Sequence, residues 1–292
     1  MTTTALVHVV VSGLATGSIY ALMAISLVII YNATRTLNFA QGEMLMISTF
    51  VGWSAHEALR LPLPLVLVIA VVAAAALGWL VERLVIRHAI AATHLDVLII
   101  TLGLSLVLRA AAGLVWTHDE FPFPSFFRER PIGLGPLRVA PVSLGIIGGS
   151  LALMLALAAL FRWTRLGRAM RAVAQNQRAA RLMGISVERV YSASWVLAAV
   201  VGAIAGVLIA PVIFLSSKMG LVAINGFTAA VLGGFGSMPG AVVGGMLLGV
   251  LENLAPLWLP AGIKHSVPFL LMIAILVIRP SGVLGRVRQR KV

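Results

Sequence analysis

The stretch SIYALMAISLVIIYNATRTLNFAQGEMLM (Ser18–Met46) decides how this chain is read. It opens inside an apolar run that begins near Ala5 and meets no Lys, Arg, Asp or Glu before Arg35. It then turns polar at Asn38, Gln41 and Glu43 and becomes apolar again. A helix needs about 20 apolar residues, at 1.5 Å of rise each, to cross a hydrocarbon core roughly 30 Å thick. The run to Tyr31 meets that length and lacks a basic region in front of it, so it reads as a first membrane span and not as a cleaved signal. Polar residues near membrane depth are costly, so the cluster after Arg35 needs a reason of its own.

The rest of the chain reads the same way. Of its 292 residues 60% are hydrophobic and only 11% charged, whereas a soluble domain carries roughly 25% charge to solvate its surface. The 28 glycines suit helices that approach closely in lipid. The net charge of +13 would suggest nucleic acid in a soluble protein. Here the cations fall in loops and at the C-terminus, where they set orientation and meet anionic lipid headgroups, and no nucleic-acid partner is expected. Without cysteine there is neither a disulfide framework nor a thiolate metal site.

Spans are predicted near Ala5–Tyr31, Leu37–Ala55, Leu63–Val85, Leu95–Val115, Val142–Phe161 and Tyr191–Leu215, followed by a long apolar region Leu221–Leu259 and a last span Val267–Ile278. The turn signal GSMPG (Gly236–Gly240) divides the long region into a short crossing and a second one. The expected fold is therefore an all-α polytopic membrane protein with about nine crossings, forming one transmembrane domain over residues 1–292. Residues 162–190 carry seven arginines against Glu188 alone, and the tail adds Arg279, Arg286, Arg288, Arg290 and Lys291. The loop Trp116–Pro141 is balanced, with Arg128, Arg130 and Arg138 against Asp119, Glu120 and Glu129. Basic loops stay inside, so the N-terminus is expected outside and the C-terminus in the cytoplasm. A short helix before GSMPG suits either a pathway lining or a re-entrant structural hairpin. Glycines spaced by four (Gly13/Gly17, Gly145/Gly149, Gly202/Gly206, Gly240/Gly244, Gly245/Gly249) are expected to serve packing within the subunit.

The basic loop holds a short helix signal. Asn176 suits an N-cap, Gln177–Met183 favour helix, and Gly184 suits a left-handed C-cap. Ala179, Leu182 and Met183 share one face by their spacing, Arg178 and Arg181 another. RAARLMG (Arg178–Gly184) resembles the E-A-A-x-x-x-G coupling motif of ABC-importer permeases, with Ala179, Ala180 and Gly184 in register and Arg178 where the motif has Glu. Gly13–Met46 and Phe227–Leu254 are similar to the N- and C-terminal signatures of branched-chain amino acid permeases of the LivH type. That resemblance implies a type II importer fold, a second permease subunit, two cytoplasmic ATP-binding subunits and a periplasmic substrate-binding protein. It also implies that Arg178, Ala179, Ala180, Arg181, Leu182, Met183 and Gly184 dock on an ATP-binding subunit. The implied cargo is a branched-chain or other hydrophobic amino acid, with urea, short amides and aromatic acids as alternatives.

Two readings stand for the opening cluster. In the first, Asn38 caps the second span with Gln41 completing a capping box, and Glu43 is favoured by the helix dipole. In the second, Gly42 loosens the helix, and Asn38, Gln41 and Glu43 line the inner mouth of a pathway. Glu252 and Asn253 are expected at the external boundary, Arg109 is expected to snorkel outward, and His94 and Asp96 are expected to stay solvated. The six histidines never fall at metal-ligand spacing, and no cofactor is expected. The three lysines (Lys218, Lys264, Lys291) lie outside any phosphate-binding loop motif, so ATP hydrolysis belongs to a partner and this chain is expected to be non-catalytic. The rival function is an ion-coupled transporter using Glu43 or Glu252.

Overall fold

The computed structural model describes residues 3–89, 94–127, 131–134, 137–260 and 266–285. Arg128, Glu129, Arg130, Lys264, His265 and the basic tail from Arg286 on lie outside the described residues. Nine apolar helices appear among those described: α1 (Thr3–Thr34), α2 (Gln41–Leu59), α3 (Leu63–Val81), α4 (His94–Trp116), α5 (Pro141–Trp163), α8 (Val187–Ile213), α9 (Val222–Gly233), α10 (Met238–Leu254) and α11 (Val267–Ile278). Two short polar helices, α6 (Arg165–Gln175) and α7 (Gln177–Leu182), lie between α5 and α8. Among the described residues six helical segments are long and apolar enough to cross a membrane, namely Leu6–Thr34, Leu63–Ala89, Leu95–Trp116, Pro141–Trp163, Val187–Ile213 and Met238–Leu257. The protein is thus an all-α polytopic membrane protein, with a single two-stranded hairpin among the described residues, Ile132–Leu134 on Leu137–Val139.

The chain divides into two interleaved units. One comprises Ile29–Pro124 and Leu151–Ala223. At its centre α2, α3 and α8 meet through small residues. The buried face of α3 repeats every four residues at Val66, Ala70, Ala74 and Gly78, which is one stripe along a helix. Met44, Ala74, Ala199 and Ala203 form a fully enclosed cluster there. A Cβ on Gly78 would stand 2.9 Å from the carbonyl oxygen of Trp195, and one on Gly206 2.3 Å from Thr49 Oγ1. Contacts this close are what hold helices together where lipid is as apolar as the side chains.

The other unit comprises Met1–Val28, Ser125–Ser150 and Ile224–Val292. Here the expected glycine pairs oppose one another. A Cβ on Gly249 would lie 2.3 Å from the Cα of Gly17, and one on Gly245 2.4 Å from the backbone nitrogen of Ala21. The GSMPG turn separates α9 from α10 as expected: Gly234 and Gly236 have φ of 103° and 96°, and Ser237 caps α10 by accepting from Gly240 N at 3.1 Å. With 12 residues, α9 spans about 18 Å, well short of a full hydrocarbon core. After α11 the chain returns to that turn, where Val283 N and Leu284 N donate to the carbonyls of Leu232 and Gly233 at 2.9 Å each. These bonds satisfy the end of α9, which lipid could not do.

Replacing Gly249 by Val is expected to destabilise the fold by about 3 kcal/mol or more through backbone overlap. Gly103→Val is expected to be near neutral, since nothing stands within 4 Å of a Cβ there. Thermal unfolding and size-exclusion profiles of the detergent-solubilised variants check both.

Candidate functional site

The polar cluster sits at the junction of α1 and α2. Backbone at Arg35 enters the left-handed region, with φ of 62°, and so ends α1. Six residues later α2 begins at Gln41, with Ala40 at the N-cap position. Asn38 therefore does not cap α2, which corrects the capping-box expectation. Its side chain closes the preceding turn instead: Oδ1 accepts from Ala40 N at 3.1 Å, and Nδ2 donates to Gln41 Oε1 at 3.0 Å. Such local bonds are what short amide side chains offer a turning backbone. Gln41 in turn donates through Nε2 to the carbonyl of Ala198 at 2.8 Å, tying the start of α2 to the middle of α8. All three polar residues are buried, Asn38 at 2%, Gln41 at 0% and Glu43 at 3% exposure.

Gly42 is the second residue of α2 and lies within its helical stretch. A Cβ at Gly42 would stand 2.1 Å from the carbonyl oxygen of Gly220, so glycine here admits the turn Met219–Leu221 against α2. That turn covers Glu43, whose Oε1 lies 2.9 Å from where a Gly220 Cβ would be.

Arg109 is where expectation and structure part most sharply. It does not snorkel away: its Nε donates to Glu43 Oε1 at 3.1 Å, and Nη2 bonds the same oxygen. The carboxylate is enclosed and the guanidinium half-exposed, with side-chain exposures of 4% and 44%. An enclosed carboxylate needs such a partner, because an unpaired charge in a low-dielectric interior is prohibitive. Two further polar anchors bind α4 along the same side. Thr101 Oγ1 donates to the carbonyl of Leu37 and accepts from Phe39 N, both at 3.3 Å. Trp116 Nε1 donates to Ser54 Oγ at 2.7 Å. Nothing local in the sequence singles out these pairings, which span more than sixty residues.

A second enclosed carboxylate went unnoticed in the sequence. Glu82 is 1% exposed and lies in a π-helical turn, Glu82–Ile86, that extends α3. An α-helix would turn residues i and i+5 well apart, and the wider turn brings them together. Arg87 thereby donates to Glu82 through Nε and Nη2 at 3.1 to 3.2 Å. Ser192 of α8 donates to Glu82 Oε2 at 2.5 Å and accepts from Arg87 at 2.9 Å. A Glu inside an apolar span with an Arg five residues on was the available signal. Glu252, two residues from the end of α10, is buried and faces the Tyr20 hydroxyl, which accepts from Asn225 Nδ2 at 2.8 Å. Asn253 Nδ2 bonds the carbonyl of Gly249 at 2.9 Å. Asp96 is exposed, as expected.

The α7 helix forms where its signals place it. Asn176 Oδ1 accepts from Arg178 N and Ala179 N at 3.0 and 3.1 Å. At the other end Gly184 has φ of 79°, and Ile185 N reaches back to the carbonyl of Ala180 at 3.0 Å, the pairing that closes a Schellman cap. Arg178, Ala179, Arg181, Leu182, Met183 and Gly184 are exposed, Leu182 and Met183 by more than 80%. Ala180 is the exception, buried against the body of the unit at 4% exposure. Only Ala179 of the two alanines is thus presented outward. Arg181 pairs with Glu188 at 3.2 Å on the surface.

Residues 9–276 match the family described as the branched-chain amino acid transport system permease component. The chain belongs to this family. Similar curated relatives include the high-affinity branched-chain amino acid transport permease protein LivH of Salmonella typhimurium, 34% identical over 96% of each chain. The BraD permease protein of Pseudomonas aeruginosa is 32% identical, over 97% of this chain and 96% of its own. A probable LivH of Methanocaldococcus jannaschii is 26% identical, over 92% and 89%. Among solved structures, PsaBC from Streptococcus pneumoniae in complex with Fab shares the fold at a TM-score of 0.51 and 13% identity, covering 91% of this chain and 89% of that one. The protein is accordingly an ABC-transporter permease component, a multi-pass inner-membrane subunit that does not itself catalyse a reaction. A permease of this family implies ATPase and binding-protein components beside it.

Removing the Arg109 side chain leaves Glu43 uncompensated, which costs about 3 kcal/mol for a buried pair and less here because the arginine is half-exposed. Arg109→Ala is therefore expected to lower the unfolding temperature more than Arg109→Ala combined with Glu43→Gln. Thermal melts of the single and double variants in nanodiscs measure the difference.

Proposed function

We propose that this chain is the pore-forming permease subunit of an ABC importer that carries branched-chain amino acids. In this reading it pairs with a second permease, stands on two cytoplasmic ATP-binding subunits and receives its cargo from a periplasmic binding protein. The observation that carries the proposal is α7. It is capped at both ends and presents Arg178, Ala179, Leu182 and Met183 outward in a chain of the permease family. A short rigid helix with a small residue and two apolar ones beside arginines suits insertion into a groove on a partner. Because Arg178 stands where the coupling motif has Glu, the partner surface facing it is expected to be acidic.

Orientation follows from the basic loop around α6 and α7, which places it in the cytoplasm with the N-terminus outside. Residues 283–284 bond the end of α9 beside the GSMPG turn, and the cationic C-terminal sequence is the ground for a cytoplasmic C-terminus. The single transmembrane domain, residues 1–292, and the pathway role of Asn38, Gln41, Gly42 and Glu43 belong to the same proposal. Branched-chain cargo is supported by the names of relatives that match over nearly the whole chain. The ion-coupled alternative through Glu43 is less well supported, since that carboxylate is already paired with Arg109.

The test is purification from host membranes with the partner subunits, then leucine uptake in proteoliposomes. Ala179→Asp is expected to leave expression intact while abolishing uptake and releasing the ATP-binding subunits. Unchanged ATPase co-purification and uptake in that variant would overturn the docking role, and leucine-independent uptake of another solute would overturn the cargo.

A further inference from the structure

The connector between α1 and α2 and the segment carrying α7 hold one another at two points. Arg35 donates from Nη2 to the carbonyl of Ala174, and Gln177 donates from Nε2 to the carbonyl of Ala33 at 3.2 Å. Each bond joins a side chain of one segment to the backbone of the other, and the two run in opposite directions. Both acceptors lie in the last turn of a helix, Ala33 in α1 and Ala174 in α6, where carbonyls lack an intrahelical partner. The cationic guanidinium is also favoured at the negative end of α6.

These bonds are more than helix capping. Water at a membrane surface satisfies terminal carbonyls equally well, so what the bonds add is fixed geometry. Arg35 holds a left-handed backbone, φ 62°, where glycine is the usual residue. Its guanidinium lies over the Tyr31 ring, 5.7 Å from the centroid. A side chain kept in a disfavoured backbone region is one whose neighbours hold it there.

The clamp joins two elements of opposite kind. On one side Gln177 is the first residue of α7, directly after its Asn176 cap. On the other, the connector continues into Asn38, Gln41 and Glu43. Asn38 bonds Gln41, Gln41 bonds Ala198 of α8, and Glu43 bonds Arg109 of α4. The clamp and the polar cluster are therefore separated only by the short backbone stretch from Arg35 to Asn38, and hydrogen bonds and an ion pair carry on from there to α8 and α4.

We propose that Arg35 and Gln177 are positioning residues that make α7 and the α1–α2 connector move as one body, so that displacement of α7 is delivered to the polar cluster at the start of α2. The proposal rests on the reading that α7 docks on an ATP-binding subunit. Networks of packed and hydrogen-bonded groups with defined arrangements are the physical means by which such coupling travels.

The test uses the assembled importer in proteoliposomes, with leucine and the substrate-binding protein as probe, and reads ATP hydrolysed per leucine imported. Arg35→Gly keeps the backbone in its favoured residue type and removes the side chain that bonds Ala174 and lies over Tyr31. Gln177→Ala removes the other bond. Each variant is expected to retain its thermal stability and its bound ATP-binding subunits, while ATP consumed per leucine rises roughly two- to thirty-fold. The double variant is expected to lose no more than the worse single one, because the two bonds act as a unit. Arg35→Lys, which keeps the charge, is expected to fall between. An unchanged ratio in Arg35→Gly and in Gln177→Ala, with Ala179→Asp inactive, would overturn the clamp and leave docking intact. Uptake that survives Ala179→Asp overturns the docking reading instead. A ratio that changes only in step with lost thermal stability also overturns the clamp, as it marks a structural cap.

Discussion

Helices in lipid gain nothing by hiding apolar surface from one another, so what binds them is closeness of approach. In this protein that constraint falls on glycine and alanine. The faces of α3 and α8 meet at Ala74, Gly78, Ala199 and Ala203, and α1 and α10 meet with Gly17 against Gly249 almost backbone to backbone. Because these surfaces are nearly smooth, their contact leaves little room for rotamer adjustment. The buried polar groups can be placed only because this packing holds their helices at fixed distances.

Against that apolar packing the enclosed carboxylates stand out as the places where charge is tolerated. Glu43 and Glu82 each lie within 4% exposure and each has an arginine, but the two pairs are built differently. Glu82 takes its partner from the next turn of the same helix, brought round by a π-helical turn, and shares it with Ser192 of α8. Glu43 takes its partner from α4, a helix otherwise attached by few polar groups. One pair is a local brace and the other a long-range tie. Both lie in helices that contact α8, which begins just beyond α7.

The opening cluster shows why a polar run is hard to read in isolation. Asn38, Gln41 and Glu43 have the spacing of a capped helix start, yet α2 begins at Gln41 and Asn38 serves the turn before it. Both arrangements satisfy the same local backbone, and the choice between them was made by Ala198 and Arg109, residues far along the chain. Gly42 likewise reads as a weak point in a helix until Gly220 is seen against it. The α7 helix was legible to within one residue because its start and stop signals are local: an Asn that accepts from the amides two and three residues on, and a Gly that adopts a positive φ.

Sequence by itself determined the all-α membrane class, the places where most helices start and stop, the division at GSMPG and the capped α7. Those follow from hydropathy over about 20 residues and from caps that act within one turn. Tertiary structure alone decided that Arg109 turns to Glu43 rather than to the membrane surface, that Glu252 is enclosed beside Tyr20, and that Ala180 faces inward while Ala179 faces out. The reason is physical. An enclosed charge or amide takes whichever partner the packing of distant helices brings within about 3 Å, and no periodicity along the chain records which helix that will be.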